Sequence, residues 1–418
     1  MDGMITRLIE HRITEALNQG FSLFLLGPRQ TGKTTTLTKI LAPLNHIAFN
    51  LMETRERLKY ERNPSLISQE VAASGKGLVF IDEIQKVPEI LDDVQVLIDR
   101  EKKVFALTGS SARKLKRKYV NLLPGRTLHF RMDPLLSHEY RDAFEIRSEI
   151  ELKVILKHGE LPRILTLVAE SREKLARDLL SSYVTTYLEE EVRAEALVRN
   201  IGSFTKFLKL AAETSGRLIS LRSMAQDIGV THATVSGHFQ VLEDCLIVER
   251  IEPLIPAGER GKLRKAAKFL FFDTGVRNAS AEVLGPADFT SDFWGLLFEQ
   301  WVGLSILRLM RVKGIGGKLR YWRDYSGREV DWVIDMADEW IPVEVKWGDN
   351  PRAGDFRHMD HFVRAYKKKV RRGYLVFTGL RDRKINDNIF ALSFRNFLER
   401  IFELAADSSI PGSASGLS

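Results

Sequence analysis

Apolar positions in the first third of the chain come in short, nearly unbroken runs at residues 21–26, 78–81 and 104–107. Runs of that length suit strands buried on both faces. A fourth short strand is expected over 127–130. Segments with helical spacing separate these runs, so residues 1 to about 142 read as alternating strands and helices around a parallel sheet. From 143 to 200 the pattern turns helical. Leu179, Leu180, Val184, Leu188 and Val192 share one stripe within 175–199, as a lid over the sheet domain would require. Residues 201–258 carry two short helices, 220–228 and 231–242, broken at Gly229-Val230, and then a strand over 246–251. Strands return between 259 and 406, at 269–272, 320–323, 329–334, 340–347 and 373–377, with helices at 293–309 and 356–369. Residues 407–418 are rich in Ser and Gly and read as a disordered tail. The chain has no internal repeat.

The first apolar run leads into Gly27-Pro28-Arg29-Gln30-Thr31-Gly32-Lys33-Thr34. This is G-x-x-x-x-G-K-[ST] between a strand and a helix that begins near Thr35. Its backbone N–H groups and the helix N-terminus suit the phosphates of ATP. Lys33 is expected at the β- and γ-phosphates and the Thr34 hydroxyl on Mg²⁺. The second run ends in Asp82-Glu83. Asp82 suits the magnesium, and Glu83 the general base that polarises the attacking water. The third run ends in Thr108-Gly109-Ser110, whose hydroxyls either sense the γ-phosphate or form a turn. Arg126 is read either as an arginine finger, in cis or toward a neighbouring subunit, or as an exposed arginine.

Composition narrows the picture. A length of 418 residues suggests two to four domains, and 44% hydrophobic residues suffice for packed cores. One cysteine, Cys245, excludes a disulfide framework and a multi-cysteine zinc site. His358 and His361 lack companion ligands and are expected at the surface. The mixed charges at the start argue against a signal peptide, and no apolar run is long enough to cross a bilayer, so a soluble cytoplasmic protein is expected. The net charge of +8 is compatible with nucleic acid. Basic clusters at 113–118, 260–268 and 367–372 are equally explicable as solvated faces.

The 220–251 segment resembles a winged helix-turn-helix. Ala225 permits close crossing, Gly229 the turn, and Thr231 caps the second helix. The polar face of that helix carries Thr231, His232, Thr234, Ser236 and His238, with no Arg or Lys. It suits a protein contact as well as a DNA one.

Further on, Asp331 precedes Glu344-Val345-Lys346, and Glu299 lies on the helix before them. Asp331, Glu344 and Glu299 are oxygen ligands suited to a second divalent metal, and Lys346 can orient or deprotonate a water. The alternative is a structural ion pair. The order resembles the PD-(D/E)xK nuclease signature, with Val330 where that motif has proline. Together with Leu26 to Thr34, Phe80 to Gln85, Leu107 to Ser111, Gly125-Arg126, Phe272 to Gly275 and Phe298-Glu299, it makes the chain similar to prokaryotic AAA-type ATPases that carry a PD-(D/E)xK-like C-terminal domain. That resemblance implies an ATPase with a DNA-linked role. The expected class is α/β: a P-loop NTPase parallel sheet, a helical lid, a winged helix-turn-helix and a C-terminal α/β restriction-endonuclease-like domain. The expected partners are ATP, DNA or a protein, and further copies of the chain.

Overall fold

The computed structural model describes residues 5–111, 123, 125–141, 144–145, 148–188, 201–256, 258–259, 263, 266–285, 288–352 and 354–407. The basic run 113–118, the acidic triplet Glu189 to Glu191 with Val192, part of the 260–268 cluster and the tail from 408 onward lie outside them.

Five parallel strands form the N-terminal sheet: β1 (Ser22–Leu26), β2 (His46–Asn50), β3 (Leu78–Asp82), β4 (Val104–Gly109) and β5 (Thr127–Arg131), in the order β2-β3-β4-β1-β5. Leu23, Phe24, Leu25, Val79, Ile81, Phe105 and Leu107 are fully buried. Their near-continuous apolar character follows from helices on both faces. The order matters for chemistry. Because β4 lies between β1 and β3, the ends of all three strands meet at one edge. Leu26, before the glycine loop, pairs with Gly109, and Asp82 ends the next strand but one.

A central block follows, with helices Glu149–His158, Pro162–Ala169, Glu173–Ser182 and Ile201–Glu213. Leu180 is buried, whereas Leu179 is 37% exposed and does not belong to the apolar stripe assigned to it. Helices Leu221–Ile228 and His232–Asp244 meet at Gly229, whose φ of 78° is left-handed. Thr231 caps the second helix by accepting the Thr234 N–H. Thr231, His232 and Ser236 are exposed, but His238 is not part of that polar face. It is buried against Phe204 and Phe207, and this burial lowers its affinity for a proton.

The strand expected to open the C-terminal domain belongs elsewhere. β6 (Val248–Ile251) and β7 (Lys268–Phe271) form their own antiparallel pair, and the next helix, Thr274–Ser280, packs on Glu149–His158. Residues 268–280 therefore pack with the central block.

The long helix Ser291–Lys313 joins the parts. It is capped by Thr290 and ends at left-handed Gly314. Its buried residues, from Trp294 through Leu309, occupy nearly all faces, the pattern of a helix enclosed by protein. A six-stranded sheet covers it: β8 (Lys318–Arg323), β9 (Glu329–Asp335), β10 (Trp340–Lys346), β11 (Gly373–Phe377), β12 (Arg383–Lys384) and β13 (Ile389–Ser393), in the order β12-β13-β11-β10-β9-β8. β8, β9 and β10 form an antiparallel meander, and β10, β11 and β13 are parallel. One apolar core runs without a break from Leu23 and Leu25 through Trp301 to Trp332 and Val376.

Candidate nucleotide site and C-terminal carboxylate cluster

Residues 27–34 wrap the end of β1 as a loop with two left-handed turns, at Gln30 (φ 63°) and Gly32 (φ 95°). Gly27 is required by packing. A Cβ there would lie 2.2 Å from the Met132 carbonyl oxygen, far inside contact distance. The Thr31 hydroxyl donates to the Pro28 carbonyl at 2.9 Å, and the Tyr183 hydroxyl donates to the Arg29 carbonyl at 3.4 Å. Lys33, 5% exposed, donates to the carbonyls of Gly27 (2.9 Å) and Pro28 (3.0 Å) and lies 3.9 Å from Glu83. Thr35 lies exposed on the first turn of the helix Lys33–Leu41.

The strand ends supply the rest. The Thr34 hydroxyl lies 3.0 Å from both carboxylate oxygens of Asp82. Burial pushes the Asp82 carboxyl above its usual range, against the hydrogen bonds from Thr108 and Thr34. A buried carboxylate of this kind gains from a cation, and a hydroxyl with a carboxylate is a hard-oxygen pair suited to Mg²⁺, whose remaining positions go to phosphates and water. These residues fit the metal.

Glu83 adopts a left-handed φ of 58°, which turns it away from the strand. Its carboxylate accepts the Ser110 hydroxyl at 3.0 Å and a hydrogen bond from the Gln85 amide. Thr108, fully buried, bonds to the Asp82 carboxylate and accepts the Glu83 N–H at 2.8 Å. Thr108 therefore holds the Asp82-Glu83 turn, and Ser110 holds the acid itself. Gln85 carries no assigned chemistry in the sequence reading. Its signal was its position two residues after Glu83.

Arg126 is placed elsewhere. It precedes β5, whose first residue pairs with Ser22 at the start of β1. The loop follows the far end of β1, about 16 Å away for a five-residue strand. Arg126 bonds to Asp99 at 2.7 Å. Arg126 thus lies at the end of the sheet opposite the loop.

In the C-terminal sheet, Asp331 lies on β9 and Glu344 and Lys346 on the adjacent β10. Asp331 accepts the Val345 N–H at 2.8 Å, and Lys346 bonds to Glu344 at 2.8 Å. Burial, together with the charges of Glu344 and Glu299, holds the Asp331 carboxyl well above its usual range. Glu344 is pushed up to about 7, chiefly by burial. Glu299 is not free for a metal, because it bonds to Lys268 at 3.2 Å. Lys268 is 3% exposed and also pairs with Glu329 at 2.9 Å. The sequence places Lys268 in a basic cluster open to nucleic acid or to solvent, and the fold instead buries it among carboxylates. Among the described residues, no three His, Cys, Asp or Glu side chains are grouped to hold a metal ion. As arranged, lysines rather than a metal supply the positive charge of the Glu299–Asp331–Glu344 set. Also among the described residues, no helix is long and apolar enough to cross a membrane.

Residues 20–141 match the family profile described as AAA domain. Residues 151–286 match a domain of unknown function (DUF8612), and residues 294–397 another (DUF4143). The N-terminal region is thus similar to an AAA domain, and it carries the five-stranded parallel sheet and glycine loop described above. An uncharacterized protein of Mycobacterium tuberculosis is 24% identical over 344 residues, 81% of this chain and 73% of that protein. An uncharacterized protein of Haemophilus influenzae is 21% identical over 394 residues, 88% and 91% of the two chains. Among solved structures, a Walker-type ATPase of Pyrococcus abyssi matches 65% of this chain and 94% of its own, at 15% identity and a TM-score of 0.46.

Proposed function

We propose that this chain hydrolyses ATP at residues 27–34 and uses the cycle as a conformational switch acting through its C-terminal half. One observation carries the reading: Thr34 and Asp82 lie together at the loop, with Glu83 held beside Lys33 by Ser110. Mg²⁺, when bound by Thr34 and Asp82, neutralises phosphate charge. Lys33, now on the loop carbonyls, binds the β- and γ-phosphates. Glu83 orients the attacking water and takes its proton. Ser110 and Gln85 fix the Glu83 carboxylate, and the loop amides cradle the phosphates. Lys33→Ala is expected to abolish ATP binding measured by calorimetry. Glu83→Gln is expected to retain binding and lose turnover by about a hundredfold or more. Unchanged turnover in Glu83→Gln would remove that residue from its role.

The exposed Thr231, His232 and Ser236 of the second helix include no Arg or Lys to meet phosphates, which supports a protein partner for that helix. A second reading gives the C-terminal cluster metal-dependent DNA cleavage through Asp331, Glu344 and Lys346. It is favoured by Glu344 Oε2, which is buried with no hydrogen-bond partner. Incubation with Mn²⁺ and linear, circular and single-stranded DNA separates the readings. Cleavage lost in Lys346→Ala would establish the second, and intact DNA in every arm the first.

A further inference from the structure

We propose that Arg7 is a positioning residue for the phosphate loop, and that the helix Ser291–Lys313 governs it through Asp133. The inference rests on the nucleotide reading above and adds a control point to it. Arg7 lies outside both the loop motif and the residues that match the AAA domain. Its side chain is nevertheless 6% exposed and directed at the loop. Nη1 donates to the Thr31 carbonyl at 2.7 Å. Nη2 donates to the Asp133 carbonyl at 2.8 Å, and Nε lies 3.1 Å from Glu139.

The Thr31 carbonyl belongs to the peptide between Thr31 and left-handed Gly32, one residue after left-handed Gln30. A peptide unit is planar, so fixing its C=O fixes the direction of the Gly32 N–H on the other side. Arg7 therefore sets the orientation of one loop amide without touching a ligand.

The other end of the clamp depends on the C-terminal half. Arg311, in the last turn of the long helix, bonds to both Asp133 carboxylate oxygens at 3.1 and 3.2 Å and to Glu249 at 2.7 Å. Arg131 meets the same two acids. Burial works against the charge on Asp133, but Arg311, Arg131 and Arg308 outweigh it and hold the carboxyl at about 2. The side chain of Asp133 is thus gripped by the C-terminal helix, while its backbone carbonyl holds Arg7. Seating or lifting that helix changes the support under the loop.

The test combines hydrogen exchange of the nucleotide-free full-length chain with steady-state ATPase kinetics, for wild type, Arg7→Met, Arg7→Lys and Arg311→Met. Loss of one charge-assisted hydrogen bond corresponds to about tenfold. Arg7→Met is expected to speed exchange of the residue 30–34 amides about tenfold and raise KM for ATP about tenfold, with kcat within about twofold. Arg7→Lys should restore part of both. Arg311→Met should show the same signature more weakly, with exchange in β3 and β4 unchanged. Wild-type loop exchange in Arg7→Met overturns the clamp. An effect of Arg7→Met with none of Arg311→Met overturns control by the helix. Faster exchange throughout the sheet assigns Arg7 to stability alone and overturns positioning. A wild-type chain that binds no ATP refutes the nucleotide reading, while loop exchange still decides the clamp.

Discussion

Lys33 illustrates what a single residue does before ligand arrives. Its ammonium rests on two carbonyls of its own loop, so the loop supplies oxygens that phosphates must displace. Glu83 shows the complementary case. A glutamate in a left-handed backbone is uncommon, and here the geometry is held by Thr108 from below and Ser110 from the side. Gly27 is the residue whose replacement tests this packing most directly. The Met132 carbonyl is backbone and cannot swing away, and the Met132 N–H bonds to Leu26 at 2.7 Å. Gly27→Ala should therefore part β1 from the segment after β5. We expect a loss of about 2 kcal/mol in urea unfolding together with weakened nucleotide binding.

At the level of elements, the start of the helix Thr274–Ser280 is the informative case. Its cap, Asp273, is fully buried and accepts the N–H groups of Val276 (3.0 Å) and Glu160 (2.7 Å). Burial pushes its carboxyl up to about 6, against the pull of Arg308 and these N–H groups. In the unfolded chain the same group titrates near 4. The native state thus binds the proton more tightly, and this group's contribution to stability is complete below about 4 and is lost as pH rises through about 6. Asp273→Asn should flatten the fall in unfolding free energy across that window, measured by urea titration at a series of pH values. A slope identical to wild type would show that Asp273 is ionised throughout.

At the scale of the whole molecule, a buried ion pair ties three segments together. Arg308, on the long helix, pairs with Glu160 of the central block, and both are 2% exposed. Arg308 also donates to the carbonyls of Leu135 (3.1 Å) and Phe272 (2.8 Å). The Tyr140 hydroxyl donates to Glu160 at 2.8 Å. Removing one partner strands the other without water, at a cost of about 3–5 kcal/mol. Arg308→Met should therefore destabilise by that order in thermal or urea unfolding. Adding Glu160→Gln should recover part of the loss, because the double variant leaves no uncompensated charge. If the double variant is worse by the full sum of the singles, the two side chains are not coupled.

The sequence by itself located the glycine loop, the strand before it and the helix after it, the strand that ends in Asp82, and the strands β8 to β11, because each is written in contiguous residues with a local period. It also marked Ser110, since a polar residue after an apolar run can be read without knowing its neighbours. Only the tertiary structure decided the rest. The order of strands placed Arg126 at the edge opposite the loop, the pairing of β7 with β6 joined 268–271 to the central block, and packing buried His238 and set Lys268 among carboxylates. Arg7, Asp133 and Arg311 are separated by more than a hundred residues at each step. Periodicity reports what a residue's own helix or strand requires, whereas a charge is fixed by whichever distant side chains the core brings beside it.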